Sequence, residues 1–364
     1  MASMWGNYLK LSIFGESHGA GIGVVIDGLP AGEAVDMEQV VRQMARRAPG
    51  SSITVTPRKE SDAPQIISGI TADSTNGAPL CAIIRNTDTH SSDYDELRYV
   101  PRPGHADYTG HVRYRGHNDP RGGGHFSGRL TAPMVFAGAV CRQLLARRGI
   151  EIGAHLASVG SVAAKRLDPA AVSAPQLRRL STRTFPVLDP ADETPFRQAI
   201  EAARMEGDSV GGVVECAAVG LPAGLGSPIF DGVENRLAGL LWGIPAVKGL
   251  EFGEGFAGAA SRGSQQNDPY YMEGSTVRTR TNHHGGILGG ITSGMPMIFR
   301  LAFKPTSSIH LPQPSIDLRT RQDTTLTVPG RHDPCVAVRA VPVVENLTAV
   351  CLMDLLLEAK GYDA

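Results

Sequence analysis

The stretch Lys10-Leu11-Ser12-Ile13-Phe14-Gly15-Glu16-Ser17-His18-Gly19-Ala20-Gly21-Ile22-Gly23-Val24-Val25-Ile26-Asp27-Gly28 decides between two folds. Its centre, Gly15–Gly19, matches G-x-S-x-G, the strand-to-helix turn that exposes the nucleophilic serine of α/β-hydrolases. That turn needs a helix after the serine. Instead the chain continues as Ala20-Gly21-Ile22-Gly23-Val24-Val25-Ile26, β-branched and interrupted by two glycines that would each cost a helix about 1 kcal/mol. Residues 8–14 and 22–27 therefore read as two strands joined by a glycine turn. The hydrolase reading fails on context. His18, beside Ser17 and Glu16, is left as an acid–base candidate on a hairpin, or as a loop histidine that only bonds backbone.

Outward from this hairpin, Asp36 with Gln39 three residues on reads as the N-cap of a helix to Arg47, stopped by Pro49-Gly50. Strands are expected over 65–70, 80–85, 209–219, 295–303 and 335–344. Helices are expected over 127–148, from 194 to 207, from a capping pair Asp231/Glu234 to Trp242, and from 345 to 360. The 87–124 segment reads as a long functional loop, and 165–195 as a surface excursion. Strands often follow strands directly, which excludes a doubly wound sheet and favours one mixed α/β or α+β domain over residues 1–364.

Composition narrows the function classes. The chain has 364 residues, 35 Lys+Arg against 36 Asp+Glu, and a net charge of −1, so nothing attracts it globally to nucleic acid or to a membrane. The charge is uneven, however: Arg98, Arg102, Arg113, Arg115, Arg121 and Arg129 crowd one segment together with His105, His111, His117 and His125. A neutral chain with one basic segment suits a small anionic ligand. A polyanion-binding protein would need more aromatic residues for stacking. The five cysteines are scattered, with no C-x-x-C pair, which points to reduced thiols and a cytoplasmic protein. The four histidines lie on a Pro/Gly-rich loop that would preorganise metal ligands poorly, so no metal is expected.

Several runs carry ligand chemistry. Arg121-Gly122-Gly123-Gly124 leads toward a helix with Ser127 and Thr131 in its first turn, where free N–H groups and the helix dipole would hold an anion and Arg129 could clamp it. Asn282-His283-His284-Gly285-Gly286-Ile287-Leu288-Gly289-Gly290 reads either as close backbone approach to a flat ligand or as a bulge or hairpin. Lys304-Pro305-Thr306-Ser307-Ser308 offers one cation and three hydroxyls to a phosphate. Arg331, His332, Asp333 and Arg339 set a carboxylate among cations, a possible proton relay.

Taken together, GESHG (15–19), RPGHADYTG (102–110), RGGG (121–124), PAVKGLEFG (245–253), NHHGGILGGI (282–291), FKPTSSI (303–309) and GRHDPCVAVRAVPVVE (330–345) make the chain closely resemble chorismate synthases over essentially its full length. The resemblance implies an α+β, single-domain β-α-β sandwich with helices layered between antiparallel sheets, assembled as a homotetramer. It implies 1,4-anti elimination of phosphate from 5-enolpyruvylshikimate 3-phosphate with reduced FMN and no net redox change. FMN would be reduced by NADPH or by an external flavin reductase. By the same resemblance, His18 protonates the departing phosphate, His105 sits near flavin N1, and Asp333 helps remove a proton at flavin N5. Ser17, Arg47, Ser127, Arg129 and Arg339 would hold substrate. His125, Phe126, Ser127, Pro245, Ala246, Gly289, Lys304, Pro305, Thr306, Ser307, Ser308 and Arg331 would hold FMN. The chain departs from the common pattern at His125–Thr131, where many members read R-S-S-A-R-E-T, at Ile53, where relatives often carry arginine, and at Pro245, which replaces an asparagine.

Overall fold

Alternation of buried and exposed side chains makes the opening stretch a hairpin. In this computed structural model, which describes residues 3–48, 62–87, 98–328 and 332–362, β1 (Met4–Trp5), β2 (Lys10–Gly15), β3 (Gly21–Asp27), β4 (Pro64–Ser68) and β5 (Leu80–Arg85) form one antiparallel sheet in the order β1-β2-β3-β5-β4. Ile13 pairs with Val24 and Phe14 with Gly23. Leu11, Ile22, Val24 and Ile26 are buried, the period of two that a half-buried strand requires. A second antiparallel sheet, in the order β9-β10-β8-β6-β7, comprises β6 (Glu151–Val159), β7 (Val162–Ala163), β8 (Gly212–Val219), β9 (Val247–Phe252) and β10 (Met297–Phe303).

Between the sheets lie α1 (Met37–Arg47), α3 (Thr131–Ala146) and α7 (Ala337–Tyr362), with α2 (Asp107–Arg113), α4 (Ala174–Leu180), α5 (Glu193–Met205) and α6 (Val233–Leu241) elsewhere in the chain. α3 packs on β2, β3 and β5 and against α7, while α7 packs on β6 and β8. The layers thus run sheet, helices, sheet, and α4 and α5 also pack on β6. α3 and α7 cross closely: a methyl built on Gly138 would overlap the Asn346 backbone. One apolar cluster runs through both sheets and the helices between them.

Asp36 caps α1 as expected, accepting from the Glu38 and Gln39 amides at 2.8 and 3.1 Å. Elsewhere the structure corrects the sequence reading. Residues 335–344 are not a strand: α7 begins at Ala337, eight residues before the expected start at 345. The valines there suggest a strand by propensity, but Ala337, Val341, Val344 and Thr348 fall on one buried helical stripe, and packing against α3 and against β6 and β8 overrides propensity. Gly232, not Asp231, is the N-cap of α6; the Asp231 carboxylate accepts from Asn7 Nδ2 at 3.2 Å. α2 and α4 fall inside segments expected to be irregular. Leu177 and Leu180 of α4 are buried, so the 165–195 region is partly core. The 127–148 helix begins only at Thr131, after a 3₁₀ turn over Gly128–Leu130. Pro49-Gly50 lies outside the described residues.

By length and composition Ala337–Ala359 of α7 could cross a membrane, yet 89% of its apolar window is buried within the protein. It is a core helix carrying a buried ion cluster. Glu345 accepts from Arg46, from Arg142 Nη1 at 2.8 Å and from the Ala154 amide at 2.9 Å. Burial pushes the Glu345 carboxyl up, but the two guanidinium groups outweigh it and hold it below its ordinary 4.5. Because the folded value lies below the unfolded one, this carboxylate stabilises fully above the unfolded pKa, and that stabilisation is lost as pH falls through the folded value. Scanning calorimetry should therefore show Tm falling steeply below about pH 4.5, with a shallower fall in Glu345→Gln. Equal acid slopes in the two proteins would remove Glu345 from the explanation.

Candidate active site

A cavity of about 780 Å³ opens where the C-terminal ends of α1 and β10, the 102–131 segment and the start of α7 meet. That size accommodates a cofactor-sized ligand. One wall is built from arginines on three elements. Arg47, in the last turn of α1, donates to Asp62 Oδ2 at 2.6 Å, and Arg129 donates to Asp62 Oδ1 at 2.7 Å. Arg339, in the first turn of α7, donates to Asp333 Oδ2 at 2.6 Å and to the Arg47 carbonyl at 3.0 Å. Burial and then Arg339 push the Arg47 guanidinium down to about 10, against the pull of Asp62. The buried Asp62 carboxylate holds Arg47 and Arg129 side by side, and with Arg339 they line this wall with guanidinium groups, donors suited to an anion.

The opposite wall holds His105. The Asp107 carboxylate receives Arg102 Nε at 2.7 Å and Nη2 at 2.8 Å, and His105 Nδ1 lies 2.6 Å from its Oδ1. Burial raises the Asp107 carboxyl, but hydrogen bonds from Arg102 and His105 prevail and hold it far below the usual carboxylate range. The short contact assigns the Nδ1 proton to the bond with Asp107, which orients the ring as the partner carboxylates of metal-bound histidines do. Arg102 Nη1 also donates to Ser308 Oγ at 3.0 Å. On the neighbouring loop, Lys304 Nζ donates to Ser307 Oγ at 2.6 Å, Ser307 Oγ to the Gly104 carbonyl at 2.8 Å, and Thr306 Oγ1 to the Asp333 carbonyl at 2.8 Å. Pro305 completes this loop, and Pro245 and Ala246 line the cavity beside it.

Ser17 and His18 lie one layer behind the cavity surface. They are buried, their side chains 3.2 Å apart, and Gly122 of the lining covers them. The Ser17 amide donates to the Gly124 carbonyl at 3.1 Å. Gly122, Gly123 and Gly124 all have positive φ. A Cβ on Gly122 would overlap the His18 ring, and one on Gly123 would come within 3.2 Å of His105. Consecutive glycines thus let each histidine ring approach the backbone closely, His18 at Gly122 and His105 at Gly123. This corrects the expectation that the glycines present free amides from a helix N-terminus: Ser127 caps the 3₁₀ turn through the Arg129 amide at 3.3 Å, and α3 starts four residues later.

Other expected residues divide. His125 is tied to the Gly15 carbonyl at 2.8 Å and to Ser3 Oγ at 2.8 Å, while Phe126 packs on Gly110 and Tyr114; both line the cavity beside Ser127. Gly289 does not line it: with Gly290 it forms the turn of the hairpin pairing Ile287–Leu288 with Ile291–Thr292. Of the alternatives for that motif the hairpin holds, and the close approach of Gly285 and Gly286 is to this chain's own backbone at Gly253, Pro296 and Ile298. Arg331 and Ile53 lie outside the described residues. The sequence reading missed Asp62, Asp107, Arg102 and Lys248. Asp107 and Arg102 stood inside a quoted motif, two and three residues from His105; Asp62 had no such signal. It also missed Asp119, whose carboxylate is held low first by Arg121 and is drawn lower still by His18.

A family model described as chorismate synthase matches residues 9–357. The chorismate synthase of Dehalococcoides mccartyi is 45% identical over 359 residues, 99% of this chain and 98% of that protein. That of Thermococcus kodakarensis is 46% identical over 363 residues, 99% of each. A solved chain titled "Crystal Structure of Chorismate Synthase" superposes with a TM-score of 0.77 at 29% identity, over 98% of this chain and 94% of its own. Helices sandwiched between antiparallel sheets, with a cationic cavity at their ends, here make an enzyme of the lyase class. The chain belongs to the chorismate synthase family, whose place is in the shikimate pathway of aromatic biosynthesis.

Proposed function

We propose that this protein eliminates phosphate from 5-enolpyruvylshikimate 3-phosphate in the 1,4-anti sense, giving chorismate, and that it holds reduced FMN to do so. The observation that carries the reading is the shared cavity: His105, Asp333 and the Arg47/Arg129/Arg339 wall face one space, and His18 stands behind Gly122. The residues fit a flavin mononucleotide. Gly104, at φ +70°, leaves open the space beside Ser307 and Lys304 that a side chain would fill, within 3.4 Å of Ser307 Oγ and 3.8 Å of Lys304 Nζ. Lys304–Ser308, Arg102, Pro245 and Ala246 would hold the group. When bound and reduced it supplies electron density to the elimination without being consumed.

The protein's own share is positioning and proton handling. The arginine wall binds the substrate's two carboxylates, and Ser127 adds a polar contact. The C3–O bond breaks and the ring loses its C6 hydrogen. His18 gives a proton to the departing phosphate, with Ser17 orienting its ring from 3.2 Å. His105, oriented by Asp107, balances charge at the cofactor. Asp333, fixed by Arg339, holds the proton removed in the elimination. Residues 1–364 are read as one domain, supported by the continuous core. Exposed Phe230, Phe256, Tyr270 and Met272 support assembly as a homotetramer, and five free thiols support a reducing, cytoplasmic setting. FMN is taken to arrive reduced, by NADPH or through a separate reductase. Purified protein should release phosphate from the substrate under anaerobic conditions with reduced FMN and not with oxidised FMN. Folded protein that binds both ligands and releases none would overturn the reading.

A further inference from the structure

The three hydroxyls of the 304–308 loop were expected to hold a phosphate, yet two have their protons committed elsewhere. Thr306 Oγ1 donates to the Asp333 carbonyl and Ser307 Oγ to the Gly104 carbonyl, both at 2.8 Å. Lys304 offers one positive charge, and a phosphomonoester near neutral pH carries almost two negative ones. The second cation stands across the cavity edge.

Lys248 is the extra residue of a β-bulge. β9 pairs with β10 so that Val247 faces Phe303 and Gly249 faces Ala302, which leaves Lys248 without a partner between them. Two residues upstream Ala246 sits at φ +74°, a left-handed conformation that costs a residue other than glycine about 1 kcal/mol or more. Its carbonyl accepts from the Lys304 amide at 2.9 Å, tying the two lysine-bearing segments together. Strain and bulge at one spot re-aim a side chain. Lys248 lines the same cavity as Lys304, and the two ammonium groups act on each other: burial first and Lys248 second push Lys304 below its ordinary value. Among the described residues neither has a carboxylate within ion-pair distance. β9 is an edge strand, and a lysine at an edge bulge can serve simply to block pairing with another sheet. That alternative explains the bulge; it leaves the lysine's place in the cavity and the like-charge pair unexplained.

We propose that Lys248 is a second phosphate-holding residue, closing with Lys304 on the phosphomonoester of the flavin mononucleotide. The inference rests on the flavin reading above. It is tested by titrating wild-type protein and Lys248→Gln with FMN and with riboflavin, which lacks the phosphate, following flavin fluorescence. Lys248 is exposed, so the variant folds, and Lys248→Arg serves as a charge-keeping control. Lys248→Gln should weaken FMN about tenfold, leave riboflavin unchanged and flatten the salt dependence of FMN binding, with Lys248→Arg restoring most of the loss. Unchanged FMN affinity overturns the proposal. So does equal weakening of both flavins, or an effect confined to the KM of the phosphorylated substrate. Wild-type protein that ignores FMN altogether would overturn the flavin reading and this inference with it, an outcome distinct from a variant that merely matches wild type.

Discussion

Gly122→Ala is expected to lower turnover by roughly 10²–10⁴-fold, the range a positioned acid contributes, while leaving the protein folded and flavin affinity close to normal. Gly122 has φ +56°, so the added methyl costs about 1 kcal/mol in backbone strain. Its larger effect is local. The methyl would overlap the Nδ1 and Cε1 edge of His18 and lie 2.9 Å from Ser17 Oγ, so the imidazole must swing out of the place it holds beside the cavity. No group of this residue touches the 304–308 loop, which is why binding of the flavin should persist. The decisive comparison is with His18→Ala. If the methyl acts by displacing that ring, the two substitutions remove one interaction, and the double variant should be scarcely worse than either single one. Losses that multiply in the double variant would mean that Gly122 serves turnover by another route. Near-normal turnover in Gly122→Ala would take the acid role away from His18.

This outcome was only partly legible in the amino-acid sequence. The strand-turn-strand reading of 10–28 came from period and glycine placement, local signals that tertiary packing reinforced. His18, His105 and Asp333 stood in recognisable runs. What local signals could not carry was how the glycines would be used. Three in a row before a helix suggested amides for an anion, whereas Gly122 and Gly123 serve as the thin wall on which two histidines rest. α7 was misread at its start for a related reason. Valine-rich runs have the same composition in a strand and in a helix buried on every side, and only the layers on both faces of α7 decide between them. Lys248 stood inside the quoted run 245–253, but its role was hidden because a bulge is a property of paired register, and register needs both strands. Asp62 was hidden because its partners, Arg47 and Arg129, lie 15 and 67 residues away.

Asp62→Asn should cost about 3–5 kcal/mol of stability near neutral pH, the range for unpairing a buried ion, and lower Tm by roughly 5–10 °C. The Asp62 side chain is fully buried between Arg47 and Arg129, and each of its oxygens receives a guanidinium. The amide keeps one acceptor and turns an N–H group toward the other arginine, so one contact becomes repulsive and two charges lose their shared counter-ion. Burial raises the Asp62 carboxyl, but the two arginines outweigh it and hold the folded value below the ordinary one. The charge of Asp62 therefore stabilises above its unfolded pKa, and the benefit disappears as pH falls through the folded value. Melting temperatures of wild type and Asp62→Asn should lie far apart at pH 7 and converge in acid, where the native carboxyl is itself neutral. Millimolar inorganic phosphate at pH 7 should raise the variant's Tm more than the wild type's, because an anion can then stand where the carboxylate was. Melting curves that stay equally far apart down to about pH 2 would show that the carboxylate's shape matters there and its charge does not.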